Sequence, residues 1–164
     1  MILEHVELHN IEEVTPTPCG GVRLQRVPEN IRCQLNAKAA QKMLCPGCAE
    51  IRFVSDEPTV HVTLSSDSET DVALFYGTFQ GTQRLHVTTE ITTFEITMPE
   101  RLQQLDPCYA RDLPFSPRVF RLVLGRPANS PLIFHGTEPS GDIRPPERGD
   151  VPALRYLAYG TSIT

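Results

Sequence analysis

The chain has 164 residues, of which 40% are hydrophobic and 21% are charged, a composition typical of one globular domain and not of a disordered tail or a fibre. Twenty acidic against fifteen basic side chains give a net charge of -5, with no block of lysine or arginine, which argues against a nucleic-acid partner or an anionic membrane surface. No apolar run reaches the roughly 18 residues of a spanning helix, and acidic residues stand where a secretory signal would be basic, so we expect a soluble, cytoplasmic protein.

Short apolar runs, separated by clusters of Pro, Gly, Ser, Asp and Thr, recur along most of the chain. They predict β-strands at residues 6–14, 22–27, 51–54, 60–64, 72–79, 85–87, 92–97 and 120–124. Residues 36–44 begin with the capping residue Asn36 and are rich in helix formers, so they predict a helix of about two turns. Strands at this spacing, without alternating helices, predict an all-β antiparallel jelly-roll sandwich, galactose-binding-like, with one or two short helices.

The last part of the sequence has a different pattern. Residues 144–152 contain three prolines among charged residues and predict a linker. Residues 153–159 are almost continuously apolar, which is typical of a strand buried on both faces of a parallel sheet. We therefore expect a β-sandwich at 1–143, a linker at 144–152 and the start of a second domain at 153–164.

A candidate nucleophile follows this apolar run. Gly160, Thr161 and Ser162 form a turn that would present the serine hydroxyl at the end of a strand, where α/β hydrolytic enzymes hold a nucleophile. Residues 157–164 resemble the first sequence block of the SGNH (GDSL-type) esterases and lipases, in which Ser162 matches the nucleophile. Thr161 stands where that family usually has an acidic residue.

The resemblance extends to the sandwich. Residues 50–54, 115–117 and 143–146 resemble the β-sandwich that precedes the catalytic domain in some bacterial SGNH hydrolases, an arrangement similar to that of carbohydrate esterases with a jelly-roll in front. The resemblance implies that Ser162 attacks an acetyl or other short acyl ester of a carbohydrate or small molecule. It also implies an oxyanion hole with a later glycine and asparagine, and a later histidine base positioned by an aspartate.

Only Ile163 and Thr164 follow the nucleophile in this sequence, so those later blocks are not included. We expect this chain to act as a non-catalytic accessory domain whose partner is the SGNH catalytic domain, with no cofactor and no metal. The apolar run from Leu154 to Tyr159 would be free to form a homo-oligomer.

Other residues allow different interpretations. Cys45 and Cys48 form a C-x-x-C element that could be a redox pair or, with Cys19 and Cys33, a zinc site, although a plain turn is simpler and an odd number of cysteines argues against a disulfide framework. The five histidines stand singly, which favours structural or solvent-facing roles.

The alternative function is a free-standing carbohydrate-binding or interaction module. Sugar stacking in such a module would use the aromatic side chains Tyr76 and Tyr109.

Overall fold

The computed structural model of the protein describes residues 1–125, 130–139 and 142–154. The strands in these ranges are, in chain order, β1 (Ile2–Leu3), β2 (Val6–His9), β3 (Glu13–Pro16), β4 (Val22–Gln25), β5 (Glu50–Ser55), β6 (Thr59–Ser66), β7 (Thr70–Tyr76), β8 (Phe79–Val87), β9 (Thr92–Thr97), β10 (Val119–Leu124), β11 (Leu132–Glu138) and β12 (Ile143–Arg144). The helices are α1 (Glu29–Arg32), α2 (Ala37–Lys42), α3 (Glu100–Gln103) and α4 (Pro107–Ala110).

The strands form two antiparallel sheets. Within the described ranges, one sheet has the order β1-β2-β5-β10-β7-β8, with β12 paired to β5 beyond the end of β2, and the other has the order β3-β4-β11-β6-β9. From β4 to β7 and again from β8 to β12, the chain crosses from one sheet to the other after every strand. Apart from the consecutive pairs β1-β2, β3-β4 and β7-β8, the described neighbours in each sheet are therefore far apart in sequence. The predicted all-β antiparallel sandwich is confirmed.

The core lies between the two sheets and follows the predicted alternation. In β6 the side chains of Val60, Val62 and Leu64 are fully buried, while the residues between them are partly exposed. At the centre, the rings of Phe53 and Phe120 stack with centroids 5.2 Å apart. Because full burial of one such side chain contributes about 1.5–3 kcal/mol, this period-two pattern is sufficient to fix which face of each strand points inward.

The helix predicted at residues 36–44 is present as α2, and the Asn36 side chain accepts a hydrogen bond from the Ala39 N–H at 3.0 Å, as a capping residue should. Three further helical segments of four residues each were not predicted. Among the described residues no helix is long and apolar enough to cross a membrane.

Two predicted strands are each divided in the structure. The run at 6–14 supplies β2 to the larger sheet and β3 to the smaller one, with Asn10 in a left-handed conformation between them. The run at 72–79 supplies the end of β7 and the start of β8, because the chain turns at Gly77. Strand β11 was not predicted at all, although it lies in the centre of the smaller sheet.

Gly77 is required at its position for two reasons. Its φ of 56° lies in the left-handed region, which side chains other than glycine rarely adopt. A Cβ atom at this position would also overlap the backbone of Ser116 and Pro117. The β7–β8 turn therefore packs directly against the segment that precedes β10.

We predict that Gly77→Ala lowers the free energy of unfolding by about 1–3 kcal/mol, because it combines an unfavourable φ with a backbone overlap. Urea unfolding followed by circular dichroism measures this change. Gly149→Ala is the matched control, since a Cβ there meets no atom within 4 Å, and its effect should stay within about 1 kcal/mol. Equal effects of the two substitutions would show that the turn is not constrained as described.

Candidate functional site

The predicted nucleophile turn, Gly160, Thr161 and Ser162, lies outside the described residues, as does most of the apolar run at 153–159. Of that run only Ala153 and Leu154 are described, and the Leu154 side chain is 89% exposed. The site features that the structure does describe are therefore those of the sandwich and of the linker that leads out of it.

The linker is attached to the sandwich through Arg144 at its start and Asp150 near its end. Asp150 is the centre of this attachment: its carboxylate accepts hydrogen bonds from the Arg144 guanidinium at 2.7 Å and from the Glu147 N–H at 2.8 Å. Its backbone carbonyl accepts a hydrogen bond from the Ser116 N–H at 2.9 Å. Arg144 itself belongs to β12, which pairs with β5. These contacts hold the linker at Asp150 beside Ser116.

A cleft of about 430 Å³ opens at this end of the sandwich. It lies between the β5–β6 turn, the helical segment with α3 and α4, and residues 116–118. Its lining is mostly apolar and includes Pro58, Met98, Leu102, Leu105, Pro107 and Pro117. A volume of this size and an apolar lining with a few polar groups are typical of sites that accept a small molecule or a side chain of a partner.

Prolines and capping residues shape the helical wall of the cleft. Helix α3 follows Pro99, and α4 begins with Pro107 in its first turn, where a missing N–H costs nothing. The Asp106 carboxylate caps α4 by accepting a hydrogen bond from the Cys108 N–H at 2.7 Å. These two short helices direct the chain around the cleft and leave Tyr109 on the surface, 73% exposed.

The polar edge of the cleft carries an exposed ion pair, with an Arg118 Nη2 to Asp56 Oδ1 distance of 2.8 Å. Glu57 is the third charged residue of the lining, and among the described residues it forms no salt bridge. The Gln103 side-chain amide already has a partner in the helical wall of the cleft, because it donates a hydrogen bond to the Met98 carbonyl at 2.8 Å. The lining therefore has one more carboxylate than cation.

A buried ion-pair network supports the wall of the cleft that residues 116–118 form, opposite the helical wall. The Glu50 carboxylate accepts two hydrogen bonds from the Arg121 guanidinium, at 2.8 and 2.7 Å, and one from Arg52 at 2.7 Å. Glu7 lies 3.7 Å from Arg52 and completes the network. Register places Glu7, Arg52 and Arg121 side by side on neighbouring strands of the larger sheet, on the face away from the core.

The strap, residues 111–118, covers this network. The Phe115 ring lies over the Arg121 guanidinium, 4.0 Å from its centroid, and within 5.3 Å of Arg52. Cation–π contacts of this kind contribute about 0.5–2 kcal/mol when the cation is shielded from water. Since Ser116, Pro117 and Arg118 continue the strap into the cleft, the network positions one wall of the cleft.

Burial alone would raise the pKa of Glu50, but the hydrogen bonds from Arg121 and Arg52 outweigh it and lower the pKa to about 2. The carboxylate is thus charged at neutral pH, with its oxygens occupied by the two guanidinium groups. Such a carboxylate has little capacity to take a proton from a substrate. We interpret the network as structural, and it is a feature that the sequence analysis missed.

One serine and one histidine meet in the smaller sheet. The Ser65 Oγ and His135 Nε2 atoms are 2.8 Å apart, and burial lowers the pKa of His135, which favours the neutral ring that a general base needs. However, Ser65 is only 2% exposed, and the Gly21 backbone packs closely on the His135 ring. A buried serine of this kind is not accessible to a substrate carbonyl, so we interpret the pair as structural.

The cysteines are spread over several parts of the sandwich. All five are free thiols, with Cys19 beside Thr17 and Cys33 beside Glu29. Within residues 1–125, 130–139 and 142–154, no group of three or more His, Cys, Asp or Glu side chains could hold a metal ion. Cys48 occupies a turn between α2 and β5, where its N–H donates to the Leu124 carbonyl at 3.0 Å. The simpler interpretation as a turn agrees with this placement.

The two tyrosines proposed for sugar stacking differ in accessibility. Tyr76 is 3% exposed, packs against Phe120, and donates its hydroxyl hydrogen to the Thr97 carbonyl at 2.7 Å. Burial raises the pKa of Tyr76 to about 12. The suggestion that Tyr76 stacks on a sugar is therefore wrong, because its ring is part of the core, whereas the Tyr109 ring on α4 is accessible.

Comparison with known proteins gives a structural likeness only. No protein-family model matches the sequence, and no curated protein matches it. Among solved structures, the fold is similar to "Salicylyl-Acyltransferase SsfX3 from a Tetracycline Biosynthetic Pathway", with a TM-score of 0.59 and 9% sequence identity. The likeness covers 86% of this chain and 39% of that chain, so this chain spans well under half of the protein it resembles.

We predict that Glu50 makes folding dependent on pH in the acid range. Its pKa is about 2 in the folded protein against an ordinary value of 4.5, so its stabilising effect is complete above pH 4.5 and is lost as the pH falls towards 2. A shift of this size corresponds to about 3 kcal/mol at neutral pH. Urea unfolding at a series of pH values from 7 to 2 measures the loss.

Glu50→Gln should remove this acid dependence and, because it leaves the buried Arg52 and the partly buried Arg121 without their carboxylate, lower the free energy of unfolding at pH 7 by about 3–5 kcal/mol. Glu90→Gln is the control, since Glu90 is exposed and its side chain makes no described contact. If Glu50→Gln and Glu90→Gln give the same pH profile, the network does not stabilise the fold as described.

Proposed function

We propose that this chain is the non-catalytic N-terminal accessory domain of a serine ester hydrolase of the SGNH (GDSL) type, whose catalytic domain begins at residues 153–164. The observation that carries the proposal is the order of features along the chain. The described β-sandwich is followed by a linker attached at Asp150, and the sequence of a nucleophile turn, Gly160 to Ser162, follows within twelve residues.

The structural likeness supports the same class of chemistry. The similar protein carries the name of an acyltransferase, and this chain corresponds to less than half of it. Acyl transfer and ester hydrolysis share their first step, in which a nucleophile attacks an acyl carbonyl, and they differ in whether an alcohol or water accepts the acyl group. The acyltransferase name of the similar protein is thus consistent with an esterase parent for this chain.

In the proposed parent enzyme, the Ser162 hydroxyl attacks the carbonyl of an acetyl or other short acyl ester of a carbohydrate or small molecule. A histidine from the downstream sequence takes the serine proton, and downstream backbone and amide groups stabilise the oxyanion. General-base catalysis contributes about 10²–10⁴ in rate and one oxyanion donor about 10²–10³. Without those groups, the 164-residue chain should not hydrolyse esters.

The role of the sandwich in this proposal is to bind the catalytic domain and help to shape the entrance for substrate. The alternative, a free-standing carbohydrate-binding or interaction module, is favoured by one observation, the exposed ring of Tyr109 on α4, the helix whose residues Pro107 and Ala110 line the cleft. Under the alternative, the 164-residue chain alone would bind a sugar, and its extension would add no esterase activity.

We predict that hydrolysis of p-nitrophenyl acetate and butyrate requires the extended protein. The 164-residue chain should give the uncatalysed rate, the protein extended through the downstream reading frame should give turnover, and Ser162→Ala in the extended protein should reduce kcat by about 10⁴-fold or more. Steady-state kinetics on the three purified proteins provides the comparison.

Ser65→Ala in the extended protein is the matched control, because Ser65 is the serine that contacts a histidine in the sandwich. It should keep the activity of the extended protein. Loss of activity in Ser65→Ala with full activity in Ser162→Ala would place the nucleophile in the sandwich and overturn the proposal. Inactivity of the extended protein, together with sugar binding by the shorter chain, would establish the alternative.

A further inference from the structure

We propose that the cleft is the docking surface for the domain that follows residue 164, and that this domain inserts an apolar side chain flanked by a lysine or arginine. The inference rests on the proposed function, because it assumes a downstream domain. It adds which surface of the sandwich that domain contacts and which chemistry the contact uses.

The path of the chain is the first argument. The chain contacts three residues of the cleft just before and within the linker. Ile143 pairs with Ser55, and the Asp142 carbonyl lies near the Asp56 N–H, while in the linker the Asp150 carbonyl accepts a hydrogen bond from the Ser116 N–H. Leu154 is four residues beyond Asp150, so it lies within about 14 Å of this anchor even if the chain is fully extended. Any domain that continues from Leu154 starts close to the cleft.

The distribution of exposed apolar side chains is the second argument. Among the described large apolar side chains, those of Tyr109 and Leu154 are the most exposed. Tyr109 lies on α4, whose Pro107 and Ala110 line the cleft, and Leu154 is the last described residue after the linker. The other exposed apolar side chains belong to different elements, as with Ile31 on α1 and Ile91 in the β8–β9 turn. Single exposed apolar residues are ordinary, whereas a concave apolar surface with exposed aromatic and aliphatic neighbours is typical of an interaction site.

Charge is the third argument and decides the chemistry of the occupant. Asp56 is paired with Arg118 at the edge of the cleft, and this leaves the Glu57 carboxylate as the excess charge of the lining. The carboxylate of Asp150, beside the cleft, is already held by Arg144. An occupant with an apolar body and a neighbouring cation would complement this surface, while an anionic occupant would be repelled by Glu57.

Hydrogen–deuterium exchange of the 164-residue chain and of the extended protein tests the proposal. We expect amides of residues 98–118 to exchange about tenfold or more slowly in the extended protein, with no change in the β8–β9 turn. Tyr109→Glu in the extended protein should return exchange at 98–118 to the rate of the shorter chain. Tyr109 is too exposed for this substitution to unfold the sandwich.

Ile91→Glu is the matched control, because it places the same charge on an exposed apolar position outside the cleft and should leave the protection unchanged. A reversed charge at the edge, Glu57→Lys, should also reduce the protection, since the proposed partner is basic there. Thermal unfolding of Tyr109→Glu and Glu57→Lys in the 164-residue chain verifies that the sandwich itself stays folded.

The outcomes separate this inference from the proposed function. Equal exchange at 98–118 in the two proteins, with esterase activity in the extended one, would overturn the docking site and leave the function intact. Protection in an inactive extended protein would support the docking site and refute the esterase. Protection that appears in the 164-residue chain and rises with its concentration would show that a second copy occupies the cleft, which would also overturn the proposal.

Discussion

The end of the sandwich that contains the cleft depends on one set of interactions, the hydrogen bonds that the Glu50 carboxylate accepts. It joins β5 to β10 through Arg121 and neutralises Arg52 beside it. Removing one partner of such a buried group leaves a charge without compensation, which is more costly than never having buried the group. The network therefore fixes the positions of Glu50, Arg52 and Arg121 on the outer face of the larger sheet.

The strap, residues 111–118, packs on these charges, and its last residues form one wall of the cleft. Arg121 donates to the Gly77 carbonyl at 2.9 Å, and the Gly77 backbone in turn packs on Ser116 and Pro117. Phe115 closes the network from above. A glycine turn, a buried carboxylate and an aromatic ring thus fix the segment whose next residues form one wall of the cleft and hold the linker at Asp150. This series of contacts connects the core of the sandwich with the attachment of the linker at Asp150.

The structure also limits where chemistry can occur within the sandwich. The Ser65–His135 pair has the atoms of a nucleophile and a base, yet it is buried, and the Glu50 carboxylate is held by two arginines. Neither group is available to a substrate. The burial of Ser65 and the pairing of Glu50 agree with the proposed accessory role, in which the reacting serine belongs to the sequence after the sandwich.

The sequence by itself determined the strands whose two faces differ, such as β6 and β9, and the helix that Asn36 caps, because those signals are local. It could not reveal β11, whose pairing partners lie far away in the chain, nor the division of 72–79 at Gly77, which reads as a single apolar run. Glu50 and Arg52 alternate with apolar residues, a pattern that favours a solvent-exposed face, and only the strap folded over them makes them buried. The cleft likewise exists only in the tertiary structure, because its walls come from three segments that the sandwich brings together.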